Sequence, residues 1–125
     1  MDISFTEREL DVMDVLWERG ASTVAEVQEL LADELAYTTV LTMLRTLEEK
    51  GYVTHEEEGR AYRYYPLVGR SEAGASAVKR LMGKLFRGSP ELLLTQLVSQ
   101  RGLTTEQLEA MRQMLNERLE REVRR

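Results

Sequence analysis

The spacing of apolar residues changes period once in this chain, and that change limits the folds open to it. Up to Gly51 the apolar residues return every three or four positions, the spacing of one helix face. Tyr52-Val53-Thr54-His55-Glu56 and Ala61-Tyr62-Arg63-Tyr64-Tyr65 are instead β-branched and aromatic runs, with Glu57-Glu58-Gly59-Arg60 between them as a turn. Pro66 closes the second run, because it has no amide to give to a ladder. From Ser71 the helical period returns. An isolated hairpin is only marginally stable in water, so this one must lie on helices.

Three helices precede it. Thr6 and Glu9 form a capping box, Leu10, Met13, Leu16 and Trp17 make a stripe, and Gly20 ends the helix. Thr23 and Glu26 form a second box ahead of Val24, Val27, Leu30 and Leu31. The loop Asp33-Glu34-Leu35 leads to a third helix that ends at Lys50-Gly51. Three short helices followed by a hairpin is the order of a winged helix-turn-helix, in which the hairpin is the wing. The expected fold is therefore mostly α with a small β-hairpin. A winged helix-turn-helix domain occupies residues 1–70, and a helical dimerisation module occupies 71–125.

In that module Val78, Leu81, Met82, Leu85 and Phe86 share a face, and Gly88 stops the helix. Ser89-Pro90 opens a helix whose Leu92-Leu93-Leu94-Thr95-Gln96-Leu97-Val98 is apolar nearly all round. After Gly102, Thr104 and Gln107 make a third capping box for the stripe Leu108, Met111, Leu115 and Leu119, with Met114 beside it. Three thin helices cannot bury that much apolar surface among themselves. A two-fold homodimer through Leu93, Leu94, Leu97, Val98 and Leu115 would cover it, and would match a palindrome.

Composition excludes several classes. The chain of 125 residues has no cysteine, which removes disulfides, thiolate ligation and cysteine catalysis and fits a cytoplasmic protein. No apolar run is long enough for a membrane span, and no signal peptide is expected. His55 is the one histidine, so no metal site and no cofactor are expected, and no nucleophile–base pairing suggests an enzyme. Residues 1–70 hold 15 acids against 7 bases, a charge of −8, whereas 71–125 hold 7 against 10, a charge of +3. An acidic first half argues for a winged-helix protein–protein interaction module without DNA binding. That alternative stays open at this level.

The third helix argues the other way. From Ala36 to Leu47 there is no acid, although acids number 22 in the chain. Val40, Leu44 and Leu47 form one stripe, flanked by Met43 and Tyr37, and the other side collects Thr38, Thr39, Thr42, Arg45 and Thr46. A solvated face mixes both signs of charge; a face for phosphates and base edges presents hydroxyls and arginine. Thr42 and Arg45 are expected at base edges, and Tyr37, Thr38 and Thr39 at the DNA backbone, where a helix N-terminus favours phosphate. On the wing, Arg60 and Tyr62 are expected to reach the sugar-phosphate backbone.

Three blocks carry a family resemblance: Thr6-Glu7-Arg8-Glu9-Leu10-Asp11-Val12-Met13-Asp14-Val15-Leu16-Trp17; Ala36-Tyr37-Thr38-Thr39-Val40 with Leu47-Glu48-Glu49-Lys50-Gly51; and Gly59-Arg60-Ala61-Tyr62-Arg63-Tyr64-Tyr65-Pro66-Leu67. With Leu103-Thr104-Thr105-Glu106-Gln107-Leu108-Glu109, the chain resembles the penicillinase-repressor family (BlaI/MecI/CopY type) over nearly its whole length. The resemblance implies a cytoplasmic, dimeric bacterial transcriptional repressor that binds a palindromic double-stranded DNA operator. It also implies release by a signal, through a signal-activated protease or through copper. Two departures matter. The copper-responsive branch uses a C-terminal cysteine cluster, which is absent here. The β-lactam-responsive branch is cut at an Asn-Phe bond, where this chain has Gln96-Leu97 as the matching pair.

Overall fold

The computed structural model describes residues 2–125. Its elements run α1 (Glu7–Arg19), β1 (Ser22–Thr23), α2 (Val24–Leu30), α3 (Tyr37–Glu49), β2 (Val53–Glu58), β3 (Ala61–Pro66), α4 (Arg70–Leu85), α5 (Pro90–Val98) and α6 (Thr105–Val123). The capping boxes set the helix starts. Thr6, Thr23 and Thr104 each accept the amide three residues on, and Glu9, Glu26 and Gln107 return the bond. Gly20 ends α1 at a φ of 89°, a conformation that side chains with a Cβ rarely adopt.

The chain divides into two compact units, one ending at Lys79 and one covering Arg80–Arg125; the division falls inside α4. The first is a winged helix. Val12, Met13 and Leu16 of α1, Val24 and Val27 of α2, and Val40, Leu44 and Leu47 of α3 meet in one buried cluster. Tyr52, Val53 and Tyr64 close it from the hairpin side, and Val68 and Ala73 join from the segment that follows. The N-terminal segment is tied on as well: Ile3 N–H donates to Ser76 Oγ at 3.0 Å, and the Ser76 hydroxyl returns to the Ile3 carbonyl at 3.2 Å.

Three expectations need correction. Leu10 and Leu30, expected in the core, are 47% and 45% exposed, and Val12 takes the core place in α1 instead. Residues 9, 12, 13 and 16 are the stripe that α1 turns inward, so Glu9 is buried and Leu10 lies off its edge. The hairpin turn is shorter than its sequence suggests. Glu58 pairs with Ala61, which leaves Gly59-Arg60 as a two-residue loop with Gly59 at a φ of 63°. The sheet also has a third strand: β1 pairs with β3 through Ser22↔Tyr64 and Thr23↔Arg63, giving the order β1-β3-β2. Two residues are too few to announce a strand by alternation.

In the second unit, no residue of α5 or α6 is buried. Leu94, Leu97 and Val98 are exposed and Leu93 is half-buried; on α6, Leu108, Met114, Leu115 and Leu119 are exposed. No helix among the described residues is long and apolar enough to cross a membrane.

Candidate nucleic-acid interface

The core residues of α3 fix what its other face presents. With Val40, Leu44 and Leu47 fully buried, Thr38, Thr39, Thr42 and Arg45 are exposed, Tyr37 is 47% exposed, and Thr46 is half-buried. The structure thus gathers all six predicted α3 residues at one solvent-facing surface. Arg45 makes no ion pair among the described residues. The nearest acid on the helix, Glu48, is engaged elsewhere: its carboxylate bonds His55 Nδ1 at 2.7 and 2.9 Å.

The start of α3 differs from that of α1, α2, α5 and α6. Ala36 offers no side-chain cap, and the first turn holds no acid. Thr39 N–H reaches back to the Ala36 carbonyl at 3.0 Å, while the Tyr37 and Thr38 amides find no acceptor among the described residues. Two amides at the positive end of a helix dipole form a phosphate-compatible terminus.

The wing divides into two faces by strand parity. Val53, His55 and Glu57 share one with Tyr62, Tyr64 and Pro66; Thr54, Glu56 and Glu58 share the other with Ala61, Arg63 and Tyr65. Tyr62 is 40% exposed and lies against His55, with ring centroids 4.7 Å apart. It therefore combines packing on the domain with an accessible phenol. Arg60 sits exposed at the turn with no carboxylate partner among the described residues. Burial pushes the Tyr64 phenol up, the Glu48 carboxylate adds to this, and the Arg45 guanidinium opposes it.

Three pairings at this surface have no local signature in the sequence. His55 and Glu48 join the wing to the C-terminal end of α3. Arg63 donates to Glu58 at 2.8 and 3.0 Å and to the Ala21 carbonyl at 2.9 Å, and pairs with Glu26 at 3.2 Å. Glu58 chiefly, with Glu26 adding to it, holds the Arg63 guanidinium above its ordinary range. Glu26 is held below the ordinary carboxylate range, first by the Thr23 amide. Lys50 Nζ grips both oxygens of Glu9 at 2.7 and 2.8 Å, clamping the end of α3 to the start of α1. The wing's acidity is thus partly spent internally, since Glu58 is taken by Arg63 and Glu56 accepts from Tyr65 at 3.4 Å.

A family model described as penicillinase repressor matches residues 5–117. The chain belongs to the penicillinase repressor family. It is 38% identical to the transcriptional regulator BlaI of Mycobacterium tuberculosis over 110 residues, which cover 85% of this chain and 78% of that one. It is 24% identical to the methicillin resistance regulatory protein MecI of Staphylococcus aureus over 112 residues, 88% of this chain and 91% of that one. Among solved structures, the DNA-binding domain of the repressor BlaI matches at 31% identity and a TM-score of 0.52, over 58% of this chain and 90% of that one. A MarR family protein from Bacillus stearothermophilus, at 20% identity and a TM-score of 0.52 over 98% of this chain and 78% of that one, shares the fold. As a member of this family the chain is a transcriptional repressor with a DNA-binding winged helix, and it is not an enzyme.

Proposed function

We propose that this chain represses transcription as a homodimer on a palindromic DNA operator, with α3 in the major groove and the wing on the flanking backbone. The observation that carries this reading is the exposed face of α3, free of acids from Tyr37 to Leu47, with an arginine unpaired by any carboxylate among the described residues and an uncapped amide terminus. Arg45 suits bidentate donation to guanine O6 and N7, and the Tyr37, Thr38 and Thr39 end suits phosphate. Arg60 and Tyr62 add contacts from the wing. One related structure supports the geometry: the monomeric form of Bacillus licheniformis BlaI in complex with the blaP half-operator, at 31% identity and a TM-score of 0.50 over 58% of this chain and 90% of that one.

Residues 71–125 form the dimerisation module in this reading, with Leu93, Leu94, Leu97, Val98 and Leu115 in the interface. A signal acting on that module releases the operator, because one half-site held by a domain of net charge −8 binds weakly. Joining two domains makes the second contact intramolecular and raises avidity by about 10²–10⁴. A signal-activated protease cutting near Gln96-Leu97 is one such release. The setting is the cytoplasm.

The rival reading, a protein-binding winged helix, draws on a groove of about 190 Å³ between α1 and the α2–α3 loop. Val15, Leu30 and Leu35 line it together with Asp11, Asp14 and Asp33. Binding to random duplex across a salt series separates the two. The DNA reading expects affinity that falls steeply as salt rises, with log–log slope near −0.9 per phosphate contact. Absence of binding at low salt would favour the rival.

A further inference from the structure

Thr42 lies exposed at the middle of α3, and its hydroxyl hydrogen is already committed. Thr42 Oγ1 donates to the Thr38 carbonyl at 2.9 Å, and one turn on, Thr46 Oγ1 donates to the Thr42 carbonyl at 3.0 Å. A helical threonine divides its time between two rotamers, and bonding to the carbonyl four residues back selects one of them. In that rotamer the oxygen turns along the helix backbone, so the Cγ2 methyl is the group left to face outward. Thr38 and Thr39 differ. They stand in the first turn, where no helical carbonyl lies four residues back, and their hydroxyls make no bond among the described residues.

The helix therefore carries two kinds of threonine. The first turn offers free O–H donors, suited to phosphate oxygens. The middle offers a methyl beside an oxygen that can still accept. In the major groove, thymine is distinguished by its C5 methyl, and apolar side-chain contact is how that methyl is read. Resting on the reading that α3 enters the major groove, we propose that Thr42 is a thymine-specificity residue. Its Cγ2 packs on the C5 methyl of one thymine in each half-site, while its hydroxyl stays bonded to Thr38.

The test uses the full chain and a duplex recovered by selection from a random pool, in which each thymine is replaced in turn by deoxyuridine. Removing the one methyl that Thr42 reads should weaken binding about fourfold per half-site, the worth of one buried carbon. Thr42→Val, which keeps a methyl and loses the hydroxyl, should keep the thymine-over-uracil preference at that position. Thr42→Ser, which keeps the hydroxyl and loses the methyl, should bind both duplexes equally at that position. Three results would overturn the proposal: no deoxyuridine position that matters, a Ser variant that keeps the preference, or a folded Val variant that loses it. Recovery of no duplex at all would overturn the DNA reading and this proposal with it.

Discussion

Arg45 and Arg63 show how differently two arginines of one small domain are used. Arg63 is tied by Glu58, Glu26 and the Ala21 carbonyl, so its guanidinium is structural. Arg45 stands exposed on α3 with no such partner among the described residues. Arg45→Ala should leave the fold intact, because no contact of the core is lost. It should cost about 1–3 kcal/mol of operator binding and relax base preference at the position it reads. Titration of the folded variant against the selected operator and its single-base variants checks this; an unchanged affinity would remove Arg45 from the interface. The exposure of Arg45 was legible in sequence, because it is the one charged residue between Ala36 and Leu47 and lies opposite the apolar stripe. The partners of Arg63 were not. They lie on β2, on α2 and at Ala21 ahead of β1, and meet only when those segments come together around β3.

At the level of elements, the orientation of α3 depends on clamps at its C-terminal end. Lys50 holds Glu9 of α1, and Glu48 holds His55 of the wing. Burial pushes the Glu9 carboxyl up, but the Lys50 ammonium and the Thr6 amide more than offset it and hold the group below its ordinary value of 4.5. A carboxyl depressed in the fold contributes stability above its unfolded value, and loses that contribution as pH falls through the folded value. The repressor should therefore lose stability as the pH drops below about 4.5. Lys50→Met should destabilise it at pH 7 by about 1–3 kcal/mol, since a buried carboxylate loses its charged partner. The acid-side loss should also shrink, because burial then acts on Glu9 less opposed. Urea melts at pH 7 and at pH 4 measure both effects; an equal acid loss in variant and wild type would show that Glu9 is not coupled to Lys50.

At the scale of the whole molecule, the two units stand in contrast. The first closes a core around Met13, Leu16, Leu44 and Tyr64, whereas α5 and α6 bury none of their residues. Leu97 is 46% exposed in the single chain, so a charge there should cost the isolated chain little. In the proposed dimer the same charge is covered without a partner and should cost about 3–5 kcal/mol. Leu97→Glu should then give a monomer with its winged helix intact and without operator binding at micromolar concentration. Sedimentation together with circular dichroism checks it; a dimeric variant would defeat the assignment of α5 to the interface.

The sequence by itself determined what local rules can reach. Three threonine capping boxes, Gly20 after α1, a glycine-containing turn between two β-type runs, and one stripe of Val40, Leu44 and Leu47 place the helices and the hairpin. Each of these acts within a turn or two of chain, where spacing and stereochemistry leave few choices. The tertiary structure alone decided which edge of a stripe is covered, so that Val12 is buried and Leu10 is not. It also decided that two residues, Ser22 and Thr23, form a strand, and that Glu9 finds Lys50 and Glu48 finds His55. Those outcomes depend on which surface arrives from elsewhere in the chain. A charged or apolar side chain carries no local record of the partner that will lie against it.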